Sequence, residues 1–225
     1  MKIYKKIRII MIIATMIFVS GCTTVPPSRV LSPFGPTMYK GTIPLKVGMC
    51  KFVDKRPEDD KKSLNVLEPI DEKVTAVLYK EFEDCKLFKS ITMSFYPKDV
   101  DIILKGEILS FNWEHNSYSI LYVPPIFPIF SGMWAILGGP TESFRGSVGL
   151  FIQIIDAKTG NEITSYQKEA SQKNSLNIYN KGYYYAVLGQ ETRESFRLVF
   201  DQLKESLLKD APNIVEKVKK AKKKQ

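Results

Sequence analysis

Residues 100–113 read VDIILKGEILSFNW. Val100, Ile102, Leu104 and Ile108 fall on one side of an extended chain, and Asp101, Lys105 and Glu107 fall on the other. A period of two marks a β-strand with one buried face. Gly106 in mid-strand marks close packing or a bulge. Further along, Leu109, Phe111 and Trp113 put apolar bulk on the polar side, so that face turns hydrophobic. A bulge at Gly106 would exchange the two faces.

The flanking sequence supplies partners for this strand. PLKVGMCKFVD, 44–54, reads as a first strand, and Arg56, Pro57 and the charged run from Glu58 to Lys62 read as a loop. From Val66 to Phe88 the period becomes helical, with Leu67, Ile70, Val74, Val77, Leu78, Phe82 and Cys85 three or four residues apart. FKSITMSF, 88–95, is a short second strand, and Pro97 to Asp99 a turn. On the other side SVGLFIQIID, 147–156, is almost wholly apolar, as in a central strand covered on both faces. AKTGN makes a tight turn with Gly160 suited to positive φ, and NEITSYQKEASQ, 161–172, is the hairpin partner. A helix follows from about Tyr185 to Lys209 with a stripe of Leu188, Thr192, Phe196, Val199, Leu203 and Leu207, and Asp210-Ala211-Pro212 stops it. The order β-α-β-β-β-β-α predicts an α+β fold, a two-layer α/β sandwich with two helices on one face of one mixed sheet.

The chain begins MKIYKKIRII, with Lys2, Lys5, Lys6 and Arg8 ahead of an apolar run from Ile9 to Val19. That run is about half the roughly 20 residues a membrane-spanning helix needs. A positive end, a short apolar core and a small-residue cleavage site make a signal peptide over 1–21. Val19-Ser20-Gly21-Cys22 resembles the lipobox of bacterial lipoproteins. The resemblance implies that Cys22 becomes the first residue and carries acyl lipid, palmitate among it, on its thiol and amine. Thr23 and Thr24 follow where inner-membrane lipoproteins often have aspartate, which implies the outer membrane. Residues 22–43, with four prolines between 26 and 36, read as a lipidated extended tether. The domain is then 44–210, and 211–225 a basic C-terminal tail.

The full chain carries a net charge of +9. Removing the signal peptide takes away four basic residues and leaves +5; the last nine residues hold six lysines, so the body stands at −1. The tail's charge suits anionic lipid or nucleic acid, but an exported chain rarely meets nucleic acid, and a solvated tail is the plainer reading. Cys50 and Cys85 remain after Cys22. A disulfide and two buried thiols both fit, and no cysteine–histidine spacing points to a metal.

Catalytic motifs are absent: there is no G-x-S-x-G, H-E-x-x-H, P-loop or dinucleotide glycine pattern. The single histidine, His115, ends a strand and reads as structural. Glu58, Asp59 and Asp60 read as a solvated loop, and Glu81 and Asp84 as exposed helix surface. Tyr179, Tyr183, Tyr184 and Tyr185 fit a glycan- or protein-binding surface, or packing against the sheet, with packing favoured.

The segment 116–141 contains YVPPIFPIFSGMWAILGGP and no charged residue. Its Ile, Phe, Tyr and Trp content does not fit disorder. Pro124, Pro125 and Pro128 break any spanning helix. Three uses remain: packing on its own domain, contact with a protein partner or second subunit, and a dip into the membrane interface, where Tyr122 and Trp134 are at home. The expected interaction surface is Leu109, Phe111, Trp113, Tyr122, Pro124, Pro125, Ile126, Phe127, Phe130, Trp134, Ile136 and Leu137.

The strand and exit VGMCKFVDKRP, the helix after it, the strand Val100-Asp101-Ile102-Ile103-Leu104-Lys105-Gly106-Glu107-Ile108 and the turn Asp156-Ala157-Lys158-Thr159-Gly160 together resemble a known domain. It is the periplasmic α/β domain of CsgG-type curli-secretion lipoproteins, PelC-like exopolysaccharide-export lipoproteins and the TolB N-terminal domain, over roughly 44–209. The resemblance implies a lipid-anchored, non-enzymatic component of an envelope transport or secretion system. It would face the periplasm, have no cofactor beyond the lipid on Cys22, and form a homo-oligomer or bind an envelope protein through its insertion, with no nucleic-acid partner. The chain departs from CsgG-type channels in having one proline-broken insertion in place of two transmembrane hairpins. The alternative is a periplasmic lipid- or glycan-binding lipoprotein with the insertion as a lid.

Overall fold

The computed structural model describes Leu31 and residues 42–58, 61, 69–93, 99–117, 136–177, 179 and 189–223. Among the described residues six strands form one mixed sheet: β1 (Ile43–Met49), β2 (Val53–Asp54), β3 (Phe88–Met93), β4 (Ile102–Ser117), β5 (Glu142–Asp156) and β6 (Glu162–Leu176). Two helices, α1 (Ile70–Asp84) and α2 (Gln190–Lys223), complete the expected order. The sheet order is β3-β1-β4-β5-β6, with β2 beside β4. β1 runs parallel to β3 and β4, whereas β4, β5 and β6 are antiparallel neighbours.

The stretch 44–54 is two strands on one line, pairing Met49 with Leu104 and Val53 with Glu107. The break between them turns Phe52 inward, where it is 1% exposed. Its ring lies over Gly106, and a Cβ there would stand 2.1 Å from Phe52 Cε1. Close packing is therefore why Gly106 is glycine. The Phe52 N–H donates to Thr75 Oγ1 at 2.9 Å and ties this turn to α1.

The bulge lies three residues further on, where the β4–β5 register shifts between Ile108 and Ser110. It exchanges the faces of β4. Phe111 consequently lies in the core, 2% exposed, and Trp113 is partly buried against it. The polar face does not turn hydrophobic. Arg56, a loop residue by sequence, is buried beside this point. It makes a two-pronged pair with Asp54, at 3.0 Å and 2.9 Å, and Nη1 donates to the Phe111 carbonyl at 3.4 Å. Burial opposes ionisation of Asp54, but the Arg56 contacts outweigh it and hold its pKa below the usual value.

The hairpin turn follows the chemistry of its residues. Asp156 Oδ1 accepts the Lys158 and Thr159 N–H groups and the Thr159 hydroxyl, and Gly160 takes φ +71°. An aspartate that bonds the next backbone donors, followed by a left-handed glycine, closes a turn locally.

Every described residue of both expected helical stripes is buried, from Ile70 to Cys85 and from Thr192 to Leu207. Helix α2 does not stop at 209. It runs through Pro212 to Lys223, with Ile214 and Val218 each 1% exposed. Pro212 removes one backbone bond, yet these two residues continue the stripe and add apolar burial that outweighs the loss. The expected tail is therefore docked helix as far as Lys223. Lys217 donates to the Ile163 carbonyl at 2.8 Å, and Lys222 pairs with Asp101 at 2.7 Å. Leu31, placed by sequence in an extended tether, is 6% exposed within the core cluster.

Candidate functional site

Strands β4, β5 and β6 are each about 50 Å long at the usual rise. The chain enters β1 at one end of them, where Ile43 lies opposite Phe88 and Lys222 of α2 reaches Asp101. The segment 118–135 leaves from the other end, after Ser117 and before Glu142, which are paired. What is described of its return, 136–141, is fixed to the end of β6. Thr141 N–H and hydroxyl both donate to the Leu176 carbonyl. Asn177 Nδ2 donates to the Gly138 carbonyl at 3.3 Å, and the Tyr179 hydroxyl donates to the Ile136 carbonyl. Asn177 Oδ1 accepts the Tyr179 N–H at 3.0 Å, and Gly138 takes φ +84°.

This scaffold presents apolar side chains outward. Ile136 is 66% exposed, Leu137 77% and Tyr179 65%. Leu109 is half-buried on the open face of the sheet. Phe111 and Trp113 lie on the helix side and do not join the tip. Cys22, Tyr122, Pro124, Pro125, Ile126, Phe127, Phe130 and Trp134 lie outside the described residues, as do Tyr183, Tyr184 and Tyr185. Of the four tyrosines Tyr179 is described, and it is exposed. The sequence gives no warning of Asn177, because one asparagine after a strand carries no signal of what it bonds.

Behind the tip, on the α2 side, His115 stacks on Phe144 at 4.8 Å and 4°, and its Nε2 stands 3.5 Å from Glu142 Oε2. Trp113 lies 6.0 Å from Phe144. This is a packed aromatic layer, and His115 belongs to it. Glu81, surface by sequence, is 4% exposed. Cys50 and Cys85 are free thiols, and burial pushes both pKa values up, which suits unreactive cysteines.

An open groove of about 470 Å³ lies at the β3 edge, between Thr42, Phe82, Lys86 and Ile91. A smaller one of about 190 Å³ lies between Gln172–Asn174 and Gln190–Glu194. No described residue of 136–141 lines either. Among the described residues, no three His, Cys, Asp or Glu side chains are grouped to hold a metal ion, and no helix is long and apolar enough to cross a membrane.

No family model matches the chain, and no curated protein matches it. Several solved structures do resemble it. Protein XCC0632 from Xanthomonas campestris superposes with a TM-score of 0.52 at 8% identity, over 82% of this chain and 99% of that one. An uncharacterized lipoprotein B from Nitrosomonas europaea gives 0.44 at 10%, over 81% and 96%. PelC from Paraburkholderia phytofirmans, solved as a dodecamer, gives 0.36 at 8%, over 73% and 91%. At these identities the likeness concerns the fold alone, and the two lower scores carry no argument. The likeness to the first of these is one of fold and does not single out the CsgG, PelC or TolB type.

Proposed function

We propose that this chain is a membrane-anchored bacterial lipoprotein, held by lipid on Cys22, that works as a non-enzymatic interaction or assembly component of an envelope transport or secretion system. It faces the periplasm, most simply from the outer membrane, and oligomerises through its apolar insertion. The observation that carries the reading is the pair Ile136 and Leu137, 66% and 77% exposed on a backbone tied down by Asn177 and Tyr179. Large apolar side chains fixed outward at the root of an uncharged segment mark a contact surface.

The test is the mass of the detergent-extracted protein, by light scattering, with and without residues 123–140. Deletion is expected to break the assembly held by the insertion, lowering the mass, and to leave a folded domain. An unchanged mass contradicts the reading.

A further inference from the structure

Strand β6 is the edge of the sheet. It is 15 residues long, contains neither proline nor glycine, and among the described residues no second strand pairs with its outer side. A long edge of this kind is a template for another strand, and natural edges are blunted by charge. The charges on this edge are few, and their placement is informative. Glu169, Ser171 and Lys173 are exposed and share the face of β6 away from α2. Within the chain Glu169 lies opposite Gly149, which offers no side chain. Lys173 lies opposite Arg145, a like charge; Arg145 has Glu114 of β4 on its other side and donates from Nε to Ser171 Oγ at 3.2 Å, whereas Lys173 has no acid on its outer side within the chain. Neither Glu169 nor Lys173 has an ion-pair partner among the described residues.

We infer that β6 pairs antiparallel with β6 of a second copy of this chain, in the register that places Ser171 opposite the partner's Ser171. In that register Glu169 stands opposite the partner's Lys173, and Lys173 opposite the partner's Glu169. The pairing repeats on both sides of the two-fold axis, as such symmetry requires. Each Lys173 thereby gains an acid on its outer side, as Arg145 has Glu114 on its inner side. On the α2 face Lys168 meets the partner's Asn174, Ala170 meets the partner's Gln172, and Tyr166 meets the partner's Leu176, so no like charges oppose. Neighbouring registers do worse. A two-fold on Lys168, Glu169 or Lys173 sets that charge against itself, and one on Ala170 or Gln172 makes no ion pair. The charges thus exclude the wrong registers and favour one. Space permits the arrangement: α2 lies over β5 and β6, and with strands about 4.8 Å apart the two copies of α2 come to about 10 Å, an ordinary helix–helix distance.

This deepens the assembly reading above, on which it rests only for the expectation that copies associate; the surface is a different one. The test uses the full chain extracted in detergent. Glu169→Lys alone and Lys173→Glu alone are each expected to weaken this contact by about tenfold, because two attractive pairs become two repulsive ones, and the double exchange is expected to restore it. A separate readout needs no change of charge. In Ser171→Cys the paired Cα atoms lie about 5 Å apart, within disulfide reach, so oxidation gives a covalent dimer on a denaturing gel. Ser165→Cys, about 40 Å from its counterpart, gives none and serves as the control. Failure of the double exchange to restore the contact, or equal cross-linking at 165 and 171, overturns the inference. So does absence of cross-linking at Ser171→Cys. Loss of the larger assembly on deleting 123–140 with cross-linking intact separates the tip from this edge.

Discussion

The Ser195 hydroxyl stands 3.0 Å from the Gly146 carbonyl and 2.7 Å from the Glu191 carbonyl of its own helix, its one proton shared between them, where the start of α2 sits on β5. The approach is so close that a Cβ on Gly146 would stand 2.1 Å from the Thr192 backbone nitrogen. Backbone cannot yield as a flexible side chain can. Gly146→Ala is therefore expected to destabilise the fold by about 3 kcal/mol, at the top of the range for overpacked sites, by urea denaturation. Ser195→Ala, which keeps the space and loses the bond, is expected to cost about 1 kcal/mol.

Gly106 and Phe52 form a second such pair, but here the obstacle is a side chain. Gly106→Ala is expected to cost about 2 kcal/mol in the wild-type background. With Phe52→Leu already present the added cost is expected to shrink by about half, since the clashing ring is gone. Equal costs in both backgrounds would show that the ring does not set the identity of residue 106.

The end of α2 offers a direct contrast between tail and docked helix. Ile214→Ala is expected to cost about 3 kcal/mol, as for other buried isoleucines. Lys219, exposed further along the same helix, is expected to tolerate alanine within about 0.5 kcal/mol. Thermal unfolding of the two variants distinguishes them. A solvated tail would make both changes silent.

Tyr166 gives a pH signature. Burial, and then its hydrogen bond to Asp210 at 2.8 Å, push its pKa from the ordinary 10.0 up to about 12. The neutral phenol is favoured in the folded state, so this contribution is intact below pH 10 and is lost as pH rises towards 12. Tyr166→Phe is expected to cost about 1 kcal/mol near neutral pH and to flatten that part of the alkaline fall. Stability against pH, read beside tyrosinate absorbance, checks both effects.

Much of the fold is legible in the sequence because local signals agree. The alternation in 100–108, the two helical stripes and the Asp156–Gly160 turn each have one physical solution. Most of the errors share a cause: they need a contact distant in sequence. The bulge that buries Phe111 depends on how β4 meets β5. Arg56 looks solvated because only Asp54 and the Phe111 carbonyl explain its burial. Pro212 reads as a stop, and only the sheet beneath Ile214 and Val218 carries the helix past it. Glu81 reads as surface by its charge, although its position between Leu78 and Phe82 fits the buried side of α1. The tip is legible in composition, since an uncharged proline-broken stretch stands out. Its anchoring by Asn177 and Tyr179 is not, because those residues lie some forty positions away.

The most direct test of the proposed contact surface is the mass of the detergent-extracted protein beside that of a variant carrying Ile136→Glu and Leu137→Glu. Both side chains are exposed, so the variant is expected to fold with unchanged circular dichroism and thermal midpoint. The account predicts that the wild type is oligomeric and that the variant falls to a smaller species. A monomeric wild type, or a variant of unchanged mass, would contradict it.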